Sequence, residues 1–407
     1  MKTEQRKILA LTGRRDLLSD GVWDYCSRLS GALCSHGFET ELIEAGWEQA
    51  GWLSAFRSLR SKLSGMRHEW VLMQYTAMAW SRRGFPFGAL AIAWAAKNTG
   101  TRLAVVFHEF RGFRAPGIWA RFRFACQQWV IHRLYALAGV GIFTVPVATV
   151  SWLSLNDAKA CFIPIGSNIP ESTTPLNREA FVASPKTVAV FGVTNLGRSA
   201  WEVEEIAATI CYAQRSVPHL RLIVFGRGAI EARSLLETAL ADSGAELSIL
   251  GVLAAEEITR ILSEADALLY VRDVLTPQHG SALAAVACGL PLVAYGDEAT
   301  SFPLSEAGTI LAPPGDREAL GCALGRVLTD DLLWNSLHQR SLSTYKKYFA
   351  WEEIARKYCA TLQATTLAQS AGPLVDPALK GLGSASYRMT AHAAKENFRP
   401  GGASDAR

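Results

Sequence analysis

No run of eighteen or more apolar residues passes along this 407-residue chain without a charge, so no segment reads as a spanning helix. The opening MKTEQRKILALTGRRD carries an apolar run, Ile8 to Leu11, that is too short for a signal peptide. Neither C-x-x-C nor H-x-x-x-H spacing occurs, and the eight cysteines are scattered. They read as reduced core residues of a cytosolic protein, and neither a disulfide framework nor a metal site is expected. Net charge is equally scarce. Forty-one Lys and Arg against 37 Asp and Glu leave +4, too little for nucleic acid to be the main partner. What the chain has in quantity is apolar mass: 49% hydrophobic residues with 19% charged, enough for large cores and against overall disorder. Its length implies two to three domains. A soluble α/β enzyme is the class that remains.

Residues 7–12 form an apolar run with strand character, followed by a loop holding Ser19, Asp20 and Gly21. A helical pattern over 22–36 then places Val22, Tyr25, Leu29 and Leu33 on one stripe, and residues 39–45 read as a second strand. This β-loop-α-β unit builds a parallel sheet. Further strands are expected at 70–74, 102–107, 141–145, 148–153 and 161–165, with helices over 89–97 and 121–138. Proline and glycine then crowd residues 165–186, which suits a hinge. A fresh alternation follows. Strands at 187–191, 221–225, 246–250, 267–271, 292–295 and 309–312 are separated by helices at 200–216, 229–242, 256–263, 280–288 and, last, 317–329 and 331–348. The predicted fold is α/β with two Rossmann-like, doubly wound domains, over 1–168 and 187–348, joined by a linker at 169–186. A helix over 349–365 is placed to cross back to the first domain, and 366–407, rich in Ala, Gly and Ser, is expected to be a poorly ordered tail.

Ligands of open α/β sheets bind at the carboxyl ends of the strands. Four strand ends carry candidate chemistry. Gly226-Arg227-Gly228 follows a strand and opens a helix, as a phosphate-approaching loop does, although a tight turn needs the same glycines. The loop 191–198 carries Asn195 and ends on Arg198, a cation able to pair with a diphosphate or a solvated arginine at a helix start. Gln278-His279-Gly280-Ser281 precedes the helix of 282–288, with Ser281 a suitable N-cap and amides facing any anion above them. His108-Glu109 ends a buried strand and could accept a proton or contact a sugar hydroxyl, though a lone histidine is often structural.

These segments, with 19–25 (SDGVWDY), 163–168 (IPIGSN), Gly251-Val252 and 287–293 (ACGLPLV), resemble glycosyltransferase family 4, the retaining nucleotide-sugar transferases of GT-B architecture, across roughly 6–362. The resemblance implies an acceptor-side N-terminal domain and a nucleotide-sugar-binding C-terminal one. It puts Arg198 near the donor diphosphate, Gly251 and Val252 beside the base, His108 before the transferred sugar and Gly21 across the cleft from the phosphates. Two family glutamates, one for the donor sugar and one for the ribose, fall here on Thr276 and Ala284. Both carboxylates are missing. Gln278, His279, Ser281 and nearby Asp273, Asp297 or Glu298 are the groups that could take over.

On this resemblance the chain is a metal-independent glycosyltransferase in surface polysaccharide or glycolipid assembly. No cofactor is expected beyond the nucleotide-sugar substrate, and the acceptor is a glycan or a lipid-linked molecule. The catalytic candidates are His108 and Glu109. The donor-binding candidates are Gly21, Asn195, Arg198, Gly226, Arg227, Gly228, Gly251, Val252, Gln278, His279, Gly280 and Ser281. Residues 111–140 mix arginines with aromatic residues and suit either a peripheral contact with the inner face of the cell membrane or a core helix with solvated arginines. A nucleotide-sugar epimerase and a catalytically silent GT-B partner stay open as alternatives.

Overall fold

Strand β1 (Arg6–Thr12) is buried continuously from Ile8 to Thr12, the pattern of a parallel strand covered on both faces. The computed structural model describes residues 6–14, 21–65, 68–154, 156–170, 185–194 and 199–370. From β1 the first lobe continues through α1 (Gly21–Ser35), β2 (Phe38–Glu44), α2 (Trp47–Ala50), α3 (Trp52–Gly65) and β3 (Trp70–Tyr75). It then runs through α4 (Phe87–Asn98), β4 (Arg102–Phe107), α5 (Ile118–Leu137), β5 (Val140–Phe143) and β6 (Ala160–Phe162). The strands form one parallel sheet in the order β2-β1-β3-β4-β5-β6, with Ile8 opposite both Thr40 and Trp70.

The second lobe repeats the plan. Its elements are β7 (Lys186–Phe191), α6 (Ser199–Gln214), β8 (Leu220–Phe225), α7 (Arg233–Leu240), β9 (Glu246–Ile249), α8 (Ala255–Glu264) and β10 (Ala267–Tyr270). They continue with α9 (Gly280–Ala287), β11 (Leu292–Tyr295), α10 (Glu298–Ser301), β12 (Thr309–Ala312), α11 (Arg317–Thr329) and α12 (Asp331–Thr344). This sheet is again parallel, ordered β12-β11-β10-β7-β8-β9. In both sheets the first strand of the lobe is an interior strand with later strands added on either side, β1 lying next to the edge strand β2 and β7 at the middle of its sheet. That reversal is where ligands of doubly wound folds bind.

Apolar clusters cover both faces of each sheet. After α12 a five-residue π turn (Tyr345–Phe349) leads into α13 (Trp351–Ser370), which buries Ile354, Ala355, Tyr358 and Leu362 beside Tyr25, Leu29 and Leu33 of α1. The Tyr25 and Tyr358 hydroxyls lie 2.8 Å apart, and Trp351 Nε1 donates to Ser167 O at 2.9 Å.

Three local readings are corrected. Helix α3 was not anticipated. The expected strand at 148–153 is instead a 3-10 turn at Val147–Thr149, where Thr149 Oγ1 donates to Pro146 O and diverts the backbone from a ladder. Helix α7 begins at Arg233 rather than 229, because the left-handed Gly228 (φ 74°) starts a turn that delays it. Most of the expected linker, 171–184, and the expected tail from 371 onward lie outside the described residues.

Candidate active site in the interlobe cavity

The carboxyl ends of both sheets open on one cavity of about 790 Å³. From the first lobe, β1 sends in Thr12, Gly13 and Arg14, and α1 sends in Gly21, Asp24 and Tyr25. Gln74 and Thr76 come from the end of β3, His108 from β4 and Thr144 from β5. From the second lobe, β7 contributes Phe191 and Gly192, β8 contributes Gly226 and Arg227, and the segment after β9 contributes Val252 and Leu253. Arg272 follows β10, and residues 278–281 lead into α9.

His108 is held on three sides. Its Nε2 lies 2.8 Å from Gln74 Oε1, its ring stands edge-on to Tyr25 at 5.2 Å, and its backbone N–H donates to Tyr75 O. With Nε2 donating to the Gln74 carbonyl, the neutral ring keeps a lone pair on Nδ1. Burial drops the His108 imidazolium pKa to about 4, so the ring is neutral near pH 7. The Gln74 side chain is buried, and its Nε2 finds no partner in the protein among the described residues. A cavity-lining donor left this way is suited to a ligand oxygen.

Glu109 does not join His108. Consecutive residues at a strand end point to opposite sides. Glu109 accordingly is absent from the cavity wall, and its carboxylate accepts from Ala77 N at 2.7 Å, fastening the turn after β3. Burial lifts its carboxyl to about 7. The structure thus does not bring Glu109, the second expected catalytic residue, together with His108 at the cavity wall.

The second lobe also departs from the expected picture. Gly226 N donates to Gly251 O and Gly192 N donates to Phe225 O, so these amides stitch the strand-end loops together and are not free for a phosphate. Gly192 adopts φ 83°, and a Cβ there would strike the Arg272 guanidinium, so glycine makes room for that cation. Gly228 and Gly251 stay off the cavity wall; a Cβ on Gly228 would strike Val193 O, which makes it a close-packing residue.

Arg272, which the sequence reading passed over, carries the cation. Its Nη2 donates to Phe191 O at 2.9 Å, while its buried Nε has no partner in the protein among the described residues. Arg227 lines the same wall. Asn195 and Arg198 lie outside the described residues, as do Ser19 and Asp20.

The loop before α9 is closed by its histidine. Thr276 N donates to His279 Nδ1 at 3.0 Å, which leaves the neutral ring's proton on Nε2. Burial, reinforced by Arg272, lowers the His279 pKa to about 4. Helix α9 starts at Gly280, so the N-cap is His279 and Ser281, expected in that role, sits inside the first turn. Gly280 and Ser281 both line the cavity. Gln278 reaches across instead of facing only its own lobe: its Nε2 donates at 2.6 Å to His108 O and at 2.6 Å to Thr144 Oγ1.

Ala284 is fully buried in the core and Thr276 is occupied by its own turn, so neither position supplies a carboxylate. Asp273, Asp297 and Glu298, the expected substitutes, do not line the cavity, and Asp297 caps α10 through Thr300 N. Among the described residues the lining carboxylate is Asp24, and the lining guanidiniums are Arg14, paired at 3.8 Å with Glu48, together with Arg227 and Arg272 of the second lobe. The excess of guanidinium over carboxylate favours an anionic ligand.

Residues 186–330 match the family described as Glycosyl transferases group 1. No curated protein sequence matches the chain. Among solved structures, the Anabaena protein HepE in complex with UDP and glucose is similar at TM-score 0.60 and 14% identity, covering 88% of this chain and 100% of its own. Sucrose-phosphate synthase from Thermosynechococcus elongatus is similar at 0.62 and 16%, covering 89% and 100%. A putative UDP-N-acetylglucosamine 2-epimerase from Listeria monocytogenes is similar at 0.58 and 12%, covering 90% and 98%. The fold is GT-B. No helix among the described residues is long and apolar enough to cross a membrane.

Proposed function

We propose that the protein is a glycosyltransferase of the family 4 type, moving a sugar from a nucleoside-diphosphate donor to a glycan or lipid-linked acceptor with retention of configuration. The observation that carries this reading is the meeting of Arg272, Arg227 and the first turn of α9 on one wall of the interlobe cavity. A nucleoside diphosphate leaving the anomeric carbon gathers negative charge on its β-phosphate. A half-buried guanidinium and a helix start offset that charge without reorganising. On the opposite wall, Gln74 Nε2 and the His108 Nδ1 lone pair offer one donor and one acceptor for sugar hydroxyls, and Asp24 offers a second acceptor. Asn195, Arg198 and Val252 complete the proposed donor site.

The family match over 186–330 and the GT-B neighbour crystallised with UDP and glucose support a donor held by the second lobe. The chemistry needs no metal in this reading: arginines and amides carry the charge that a divalent cation would otherwise balance. Cytoplasmic assembly of a surface polysaccharide or glycolipid is the setting we propose.

The test is a panel of UDP-, GDP-, ADP- and CMP-sugars scored for thermal stabilisation and turnover. Stabilisation by one nucleoside diphosphate, with sugar released to water or to an added acceptor, is the expected result. Interconversion of the sugar without an acceptor would move the assignment to an epimerase. Silence toward every nucleotide would leave a GT-B partner protein without catalysis.

A further inference from the structure

The first lobe carries a charge bias that the whole-chain total hides. Between residues 70 and 156 the sequence holds nine Lys and Arg against a single acidic residue, Glu109. That carboxylate is turned inward onto Ala77 N, so it does not offset the positive surface. The same stretch exposes seven consecutive residues, 113–119, at the entry to α5.

Helix α5 buries Gln127, Val130, Ile131 and Leu134. At 3.6 residues per turn, Ile118, Phe122 and Trp129 fall on the opposite side. They stay 79%, 55% and 47% exposed, and neighbouring Trp119 is 78% exposed. An outward helix face this apolar needs an occupant. Phe85 and Phe87 extend the face, their rings 6.0 Å from Phe122 and 6.0 Å from Trp129. Buried Gln127 fastens the pieces, donating to Gly84 O and accepting from Phe113 N. Arg114 and Arg121 are exposed around it, and Arg133 lies over the Trp129 ring. Arg82 is offset by Glu48, whereas Arg111 is held in place by Thr149 O and keeps its charge.

We propose that this face docks on an anionic lipid bilayer. Ile118, Trp119 and Phe122 enter the headgroup boundary, while Arg114, Arg121 and Arg133 meet lipid phosphates. Charge complementarity selects this occupant. A second copy of the chain would set the same arginines against each other, whereas an anionic bilayer matches both the arginines and the indole and phenyl rings between them. The inference does not depend on the transferase reading, since vesicle binding needs no turnover.

Flotation of the full chain with phosphatidylcholine vesicles, with and without phosphatidylglycerol, tests it. Binding is expected only to the anionic vesicles. Each arginine near such a surface is worth roughly fivefold in partitioning, so Arg121→Gln with Arg133→Gln should cost about 25-fold. Trp119→Ser with Phe122→Ser should abolish binding at a small cost in thermal stability, because Trp119 is 78% exposed and Phe122, 55% exposed, gives up only its contact with Phe85. Failure to bind anionic vesicles, or binding untouched by both double variants, overturns the proposal. So does a solution dimer that Trp119→Ser with Phe122→Ser dissociates, which would make the face a self-association surface.

Discussion

Replacing Arg272 by Met removes the cation while keeping much of its length and packing. In the structure Arg272 gives one hydrogen bond to Phe191 O and leaves its buried Nε without a protein partner among the described residues. A diphosphate seated against it would take charge-assisted contacts of about 1.5–3 kcal/mol. Loss of those contacts should weaken a nucleoside diphosphate by roughly 10- to 150-fold. The hydrogen bond to Phe191 O is a separate matter, costing about 1 kcal/mol of stability whatever the ligand. Calorimetric titration of the best-binding nucleoside diphosphate and of its parent nucleoside separates the two effects. The diphosphate should lose the full factor, the nucleoside almost none. Arg272→Lys should recover only part of the loss, since an ammonium keeps the charge without the planar fork. Equal weakening of nucleoside and diphosphate, or no weakening of either, would refute a phosphate-facing role for this guanidinium.

Two further outcomes follow from groups near the cleft. Glu109 is raised in the folded chain to about 7 from an ordinary value of 4.5, so the folded state holds the extra proton between those values. Its contribution is full below pH 4.5 and is lost as pH rises through 7. Glu109→Gln should therefore melt at the same temperature as wild type near pH 4.5 and at a higher one at pH 8, as read by calorimetry; a lower melting temperature at pH 8 would contradict the sign. Gln278→Ala removes two hydrogen bonds that join the lobes. At about 0.5–1.5 kcal/mol each, their loss should shift the balance toward an open cleft by roughly 5- to 150-fold, seen as a larger radius of gyration in small-angle scattering.

Much of the architecture was legible because parallel strands covered on both faces write themselves as continuous apolar runs. Ile8 to Leu11 and Leu103 to Phe107 are examples, with Leu292 to Tyr295 in the second lobe. Helix α3 was legible too, since Trp52, Ala55, Phe56, Leu59 and Leu63 recur at helical spacing and Ala55, Leu59 and Leu63 are buried, with Ser, Arg and Lys on the other faces. At the site, reading glycines as phosphate loops favoured Gly226 and Gly228, whose amides and Cα atoms turn out to serve loop-to-loop packing. Arg272 stood at an equally searchable place, two residues beyond β10, but no glycine marked it. The pairing of His108 with Glu109 failed on strand geometry that the sequence already implied. Gln278 could not have been read from local pattern, since its partners are 170 and 134 residues away.

Helix α13 has a consequence for how this chain is made. The first lobe finishes its interior only when Ile354, Tyr358 and Leu362 arrive beside Tyr25 and Leu29. During synthesis the ribosome therefore releases an amino-terminal half that is missing one wall, and the second lobe is complete before the first. A fragment ending at the hinge should emerge with that greasy flank open to water and call for a chaperone, and a stop codon anywhere before residue 351 should unravel the lobe farthest from it in sequence.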